Sequence, residues 1–128
     1  MKYIITKKQY NLILESSEEE KLLKVPDLSF FANNWDVLQA YLKSEGNPRY
    51  YVDGNLDLRN SDITSLGNLI RVEGFLDLEE TNIKSLGNLK YVGGYLHLVN
   101  TPLSKITTHE EIISKVGVEG NIYLSWNT

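Results

Sequence analysis

The chain contains no cysteine among its 128 residues. Disulfide bonds, thiolate metal ligands and a cysteine nucleophile are therefore all excluded. The simplest interpretation is a cytoplasmic location, although an exported protein can also lack cysteine.

No apolar run approaches the length of about 18 residues that a membrane-spanning helix needs, so we expect no membrane association. The first residues, Met1 to Thr6, turn polar too soon for a signal peptide.

Positive charge and histidine are also scarce. The chain has 13 Lys and Arg residues against 17 Asp and Glu residues, a net charge of -4. A basic surface for phosphate backbones is missing, so we expect no nucleic-acid partner. The chain has two histidines, His97 and His109, and neither belongs to a recognisable Ser–His–Asp arrangement. We therefore predict a protein that is not an enzyme and carries no cofactor.

What the chain does have is a repeat of fixed period. The pattern Val-x-Gly-x-Leu-x-Leu occupies 52–58 and returns at 72–78 and at 92–98. The connecting block repeats as well, since Ser-Leu-Gly-Asn-Leu ends both 63–69 and 83–89. A fixed period of this size is typical of a solenoid, in which equivalent residues lie above one another.

Within each repeat, leucines two apart point to the same side of an extended strand. We expect one parallel sheet whose inward residues stack and are buried: Leu56, Leu58, Leu76, Leu78, Leu96, Leu98, Ile122 and Leu124. The valine before each strand, and the Ile and two Leu residues after it, should add further buried positions. Positive φ or close backbone approach should explain two glycine columns: Gly54, Gly74, Gly94 and Gly120, and Gly67 and Gly87.

Two columns of small polar residues also recur at the period of the repeat. One contains Ser61, Thr81 and Thr101, and the other contains Asn68 and Asn88. We expect both columns to bond to the backbone of the neighbouring repeat, with an asparagine ladder as a ligand site the less favoured alternative.

Residues 1–50 precede the repeats and are predicted to form a helical cap. We expect a short strand at 3–5, a helix from Lys7 to about Glu15 with an alternative end at Leu23, and a turn capped by Asp27. Asn33 or Asn34 should cap a helix over 35–43. Its apolar face should contain Val37, Leu38, Tyr41 and Leu42. This region also contains a group of four aromatic residues, Phe30, Phe31, Trp35 and Tyr41. They could form a ligand cage, but we favour a hydrophobic lid that covers the first coil of the solenoid.

The last repeat is longer than the others. The interval from Val92 to Val118 exceeds the interval from Val72 to Val92, and the extra residues predict a helix that begins with a capping box at Thr108 and ends at Gly117. Its core-facing residues should be Ile112, Ile113 and Val116. A strand over 118–124 then leaves an exposed edge. We expect Trp126 to fold over this edge, or Tyr123 and Trp126 to contact a second copy in a homodimer.

The repeat resembles a known family. The segments Leu56-x-Leu58-x-x-Ser61-x-Ile63 and 76–83 are similar to the Leu-x-Leu-x-x-Asn-x-Leu core of leucine-rich repeats. The Val-x-Gly-x-Leu-x-Leu pattern resembles the coils of receptor L domains, and its combination with Ser-Leu-Gly-Asn-Leu is similar to short repeat proteins of bacteria and their phages. The resemblance implies protein or peptide binding without catalysis.

The fold class expected from repeat and resemblance together is an α+β solenoid. It should be a short, right-handed, parallel β-solenoid of leucine-rich-repeat type, with about four coils of about 20 residues. An N-terminal helical cap (1–50) should pack on the solenoid (51–128), which carries the helical insertion, and the two should form one continuous domain.

The outward positions of the strands are the candidate site. We predict that a partner binds Asp57, Phe75, Asp77, Glu79, Tyr95, His97 and Tyr123. Aromatic side chains dominate interface hot spots, although Phe75 and Tyr95 also suit ordinary cross-strand stacking. Asp57, Asp77 and His97 could hold a divalent cation or do acid–base chemistry. An open sheet excludes no water, however, so we predict no metal site and no catalytic residue.

The functional prediction is a non-catalytic module that binds another protein through this face. A more specific hypothesis is a phage accessory protein that acts in the bacterial cytoplasm and inhibits a basic host protein through its acidic surface. The alternative is a structural or virion component that assembles through its C-terminal edge strand.

Overall fold

A computed structural model of the chain describes residues 22–125. In this range the backbone forms two parallel sheets, of five and four strands, and two α-helices, an α/β fold with parallel strands. The predicted strand at 3–5, the helix from Lys7 and the position of Trp126 lie outside the described residues. The alternative helix end at Leu23 is wrong, because Leu23 begins a strand.

Nine short strands build the two sheets. In chain order they are β1 (Leu23–Val25), β2 (Tyr50–Val52), β3 (Leu56–Asp57), β4 (Leu69–Val72), β5 (Leu76–Asp77), β6 (Tyr91–Val92), β7 (Leu96–His97), β8 (Gly117–Val118) and β9 (Ile122–Tyr123). The first sheet has the order β1-β2-β4-β6-β8, and the second has the order β3-β5-β7-β9. Consecutive repeats therefore add one strand to each sheet.

The sequence predicted one parallel sheet, and that prediction is wrong, because the valine before each glycine lies in a strand of a separate sheet. A bend at the glycine divides each Val-x-Gly-x-Leu-x-Leu segment, so Val72 ends β4 in the first sheet and Leu76 begins β5 in the second. The predicted single strand over 118–124 is likewise divided, into β8 and β9. The predicted register is confirmed. Leu56 pairs with Leu76, Leu76 with Leu96, and Leu96 with Ile122, all in parallel.

The core lies between the two sheets and the segments that connect them. Both leucine columns are buried, and so are the valines that precede them in the three full repeats. Leu86, Ile122 and Leu124 are only partly buried, although they pack against the core. Ile122 and Leu124 belong to the last strand segment, which within residues 22–125 has a neighbouring repeat on one side only.

The two glycine columns have different physical causes. Gly67 and Gly87 have φ values of +63° and +58°, a conformation that side chains other than glycine rarely adopt. Gly94 instead allows close approach, since a Cβ there would lie 2.9 Å from the backbone nitrogen of Phe75. Each of the two predicted explanations therefore holds for one column.

The polar columns follow the prediction only in part. The hydroxyls of Thr81 and Thr101 donate to the carbonyls of Leu78 and Leu98, three residues earlier in the same repeat, and Ser61 behaves alike. The prediction of bonds to a neighbouring repeat is wrong for this column, because the nearest carbonyl is local. In the other column it is confirmed at Asn68, whose side-chain amide donates to the carbonyl of Asn47, because the Gly-Asn pair at 46–47 is equivalent to the pair at 67–68 and forms part of an incomplete repeat.

Residues before the repeats combine a strand with helices. Asp27 caps a 3-10 helix, Leu28–Phe31, by accepting a hydrogen bond from the backbone N–H of Ser29. Asn34 caps helix α1, Trp35–Ser44. Strand β1, which pairs with β2, was not predicted.

Helix α1 turns a narrower face to the core than predicted. Leu38 and Leu42 are buried, as expected, whereas Val37 and Tyr41 are exposed. Of the aromatic group, Phe31 and Trp35 pack against the core, which favours the lid, while Phe30 points largely to solvent.

The insertion before β8 contains helix α2, His109–Ile113. Its capping box at Thr108 is confirmed, and Ile112 and Val116 are buried. Ile113 is exposed, contrary to prediction, because it lies about 100° around the helix from Ile112, which takes the buried position. Gly117 does not end the helix but begins β8.

No helix between residues 22 and 125 is long and apolar enough to cross a bilayer.

Candidate partner-binding face

The second sheet places the predicted site residues in one row. Asp57 pairs with Asp77, Asp77 with His97, and His97 with Tyr123. Because side chains alternate along each strand, this row points away from the buried leucines of the same strands. The predicted column is therefore confirmed as an arrangement of the backbone.

Aromatic rings run along this face. The rings of Phe75 and Tyr95 are stacked, with centroids 4.6 Å apart and planes within 3° of parallel. Tyr123 meets Tyr95 edge-on at 5.9 Å and lies 5.1 Å from the ring of His97. We call these four residues, Phe75, Tyr95, His97 and Tyr123, the aromatic strip. Tyr123 is 41% exposed and the other three are partly buried, so the strip contributes both to packing and to the surface.

Asn55 and two glycines position the stacked pair. The Asn55 side-chain oxygen accepts a hydrogen bond of 3.0 Å from the backbone N–H of Phe75. This is possible because Gly74 has no side chain; a Cβ there would lie 2.0 Å from that oxygen. Gly94 lets the next repeat approach in the same way, which brings Tyr95 over Phe75. Asn55 occupies the position in its repeat that Phe75 and Tyr95 occupy in theirs, and this equivalence was the signal available in the sequence.

Carboxylates flank the aromatic strip, in two different environments. Asp57 is exposed and forms an ion pair of 3.2 Å with Arg59. Asp77 is only 5% exposed and accepts a hydrogen bond of 3.0 Å from the backbone N–H of Glu79. The expectation that Asp77 would be open to solvent is therefore wrong. Burial, followed by the negative charges of Asp77 and Asp57, raises the pKa of Tyr95 above its ordinary value.

The carboxylates and the imidazole also meet. One ligand atom from each of Asp77, Glu79 and His97 lies within 4.8 Å of the other two. The predicted trio contained Asp57, but Glu79 takes its place in the structure. His97 Nδ1 is buried and has no hydrogen-bond partner among the described residues.

The C-terminal end of the face is formed by β9, the last strand of the second sheet. The carbonyl of Ile122 lies 3.1 Å from His109 Nε2, and the Asn121 amide donates to the hydroxyl of Tyr123. The described residues do not include Trp126, so contact between this edge and a second copy stays a prediction.

Comparison with protein-family models, with curated proteins and with solved structures gives no significant match. The functional interpretation therefore rests on the arrangement of the residues themselves.

Proposed function

We propose that the chain is a non-catalytic protein-binding module, and that the aromatic strip with its flanking carboxylates binds a basic protein. We further propose that the two sheets are wound as a short right-handed solenoid of leucine-rich-repeat type. The observation that carries the proposal is the flat Phe75–Tyr95 stack on the side of the second sheet opposite the core.

The stack suits an anchor for a partner because it is rigid before binding. Two rings held parallel at 4.6 Å lose little conformational entropy when a partner covers them. Tyr123 extends the apolar area at one end, and Asn55 holds Phe75 through its backbone. Aromatic residues in such positions commonly contribute about 2 kcal/mol or more, roughly a 30-fold change in Kd.

Charge indicates the chemistry of the partner. Asp57, Glu73 and Glu79 are exposed or partly exposed on or beside the four-stranded sheet, and the whole chain has a net charge of -4. Arginine and lysine side chains can both pair with carboxylates and lie over aromatic faces. The family resemblance favours a more specific proposal, in which the chain is a phage protein. It would bind a basic host protein in the bacterial cytoplasm and inhibit it by covering its surface.

The test compares capture by the wild-type chain with capture by Tyr95→Ala. The matched control is Phe30→Ala, which removes an aromatic side chain that is 70% exposed on the 3-10 helix, outside the second sheet. Proteins captured from a bacterial lysate are identified, purified and titrated by calorimetry at two salt concentrations. We expect a basic protein whose Kd rises about 30-fold with Tyr95→Ala, stays unchanged with Phe30→Ala and rises with salt.

Circular dichroism and urea midpoints must first show that both variants are folded. A captured protein that binds wild type and Tyr95→Ala equally would refute the assignment of this face. An acidic partner, or affinity that is independent of salt, would refute the charge argument.

A further inference from the structure

We propose that Asp77, Glu79 and His97 form a binding site for a divalent transition-metal ion of the Zn²⁺ type. The proposal does not depend on a protein partner. The sequence predicted no metal here because an open sheet admits water. The burial of Asp77, which is 5% exposed, removes that reason.

The backbone places the three ligands from two neighbouring strands. Asp77 and His97 are register partners on β5 and β7, so their side chains leave adjacent strands in the same direction. Glu79 follows two residues after Asp77, and its N–H fixes one oxygen of the Asp77 carboxylate. The three ligand atoms lie within 4.8 Å of one another. Zn²⁺ binds oxygen and nitrogen at about 2.0–2.2 Å, so small side-chain rotations suffice to close the site.

The two carboxylates have no cationic partner in the described part of the chain. Between residues 22 and 125, no lysine or arginine nitrogen forms an ion pair with Asp77 or Glu79, whereas Asp53, Asp57 and Glu73 each have one. A buried carboxylate is costly unless a positive charge compensates it. A bound cation would supply that charge.

The imidazole provides an independent indication. His97 Nδ1 is buried and has no hydrogen-bond partner within the described residues, which is unusual for a polar atom that water does not reach. Contacts with Tyr95 and Tyr123 hold the ring in place. The His97 ring therefore lies beside two carboxylates and lacks a hydrogen bond at one nitrogen. A metal ion coordinated by one ring nitrogen would account for both features.

The donor set indicates the class of ion. One imidazole nitrogen with two carboxylate oxygens suits Zn²⁺ and its neighbours Co²⁺ and Ni²⁺, whereas Ca²⁺ takes six to eight oxygen ligands. Three protein ligands leave at least one coordination position for water or for a donor from another molecule.

The experiment titrates Zn²⁺ alone into metal-free full-length chain by calorimetry, and repeats the titration with Co²⁺ while its visible absorption is recorded. We expect saturable binding of one ion per chain. Glu79→Gln and His97→Ala should each weaken it by at least about tenfold, since each removes a ligand. His109→Ala is the matched control, because it removes the other histidine of the chain and should leave the affinity unchanged.

The Co²⁺ spectrum separates a built site from loose association. Intense d–d bands that His97→Ala abolishes would support the proposal. Lack of saturation at about 1 mM Zn²⁺, or binding that Glu79→Gln and His97→Ala both leave unchanged, would overturn it. Should His97→Ala fail to fold, Glu79→Gln decides the outcome, because Glu79 is only partly buried.

Discussion

The Tyr50 side chain provides a sharp test of how α1 and the first sheet are joined. It is 0% exposed, and its hydroxyl donates to the carbonyl of Leu66 at 2.9 Å while accepting from the Gln39 amide at 3.3 Å. Tyr50→Phe keeps the ring and its packing but removes both hydrogen bonds. The Leu66 carbonyl keeps a second hydrogen bond, from the backbone N–H of Leu69, so the loss costs about 0.5–1.5 kcal/mol, the net contribution of an ordinary hydrogen bond. We expect the free energy of unfolding at pH 8 to fall by that amount.

The same substitution has a characteristic pH dependence. Burial raises the pKa of Tyr50 well above its ordinary value of 10.0, and the Gln39 hydrogen bond opposes this only in part. The unfolded chain therefore loses this proton first as pH rises above about 10. From there the unfolded state binds fewer protons than the folded state, so stability falls with rising pH. Phenylalanine has no such proton, and the stability difference between wild type and Tyr50→Phe should shrink between pH 9 and pH 11.

Urea denaturation followed by circular dichroism measures both effects. Tyr41→Phe is the control, because Tyr41 is 39% exposed and its replacement should change stability little at any pH. Equal stability of wild type and Tyr50→Phe at pH 8 would refute the hydrogen-bond argument. A stability difference that stays constant up to pH 11 would refute the argument from the raised pKa.

Leu76→Ala, in an inner strand of the second sheet, should lower the free energy of unfolding by about 2–5 kcal/mol. Ile122→Ala should lower it by less, because Ile122 lies in the end strand and is only partly buried. Equal urea midpoints for the two variants would show that burial does not set the cost. Gly94→Ala should destabilise more than Gly46→Ala. A Cβ at Gly94 would lie 2.9 Å from the backbone of Phe75, whereas one at Gly46 would meet nothing within 4 Å and cost only its positive φ. The reverse order of thermal midpoints would show that close approach is not the constraint.

The stacking of the leucines could be predicted because it follows from local spacing. Leucines two apart share one side of a strand, and an unbroken repeat period brings Leu56, Leu76 and Leu96 into register. The division into two sheets was not predicted, because the valine before each glycine carries a signal for burial but none for a strand of its own. Strand β1 was also missed, since its only signal is pairing with β2, which lies far beyond it in the sequence.

The candidate site was predicted in outline for the same reason. Register alone places Phe75 beside Tyr95 and Asp77 beside His97. Burial of Asp77 and the approach of Glu79 depend on side-chain conformation and on the bend after each short strand, which the period does not specify. The exposure of Ile113 was missed because two adjacent isoleucines were both assigned to the core, although adjacent residues lie about 100° apart around a helix and here Ile112 takes the buried position.

The fold and the candidate face depend on the same contacts. Gly74 and Gly94 allow consecutive repeats to approach, and that approach both seals the leucine core and brings Tyr95 to 4.6 Å from Phe75. The longer last repeat shows that residues inserted in a connection leave the register intact, since Leu96 still pairs with Ile122. An insertion of one residue between Gly74 and Leu76 would instead shift β5 and reverse which of its side chains face outward. Substitutions in the glycine column should therefore impair partner binding through the geometry of the strip, even though glycine itself offers no side chain to a partner.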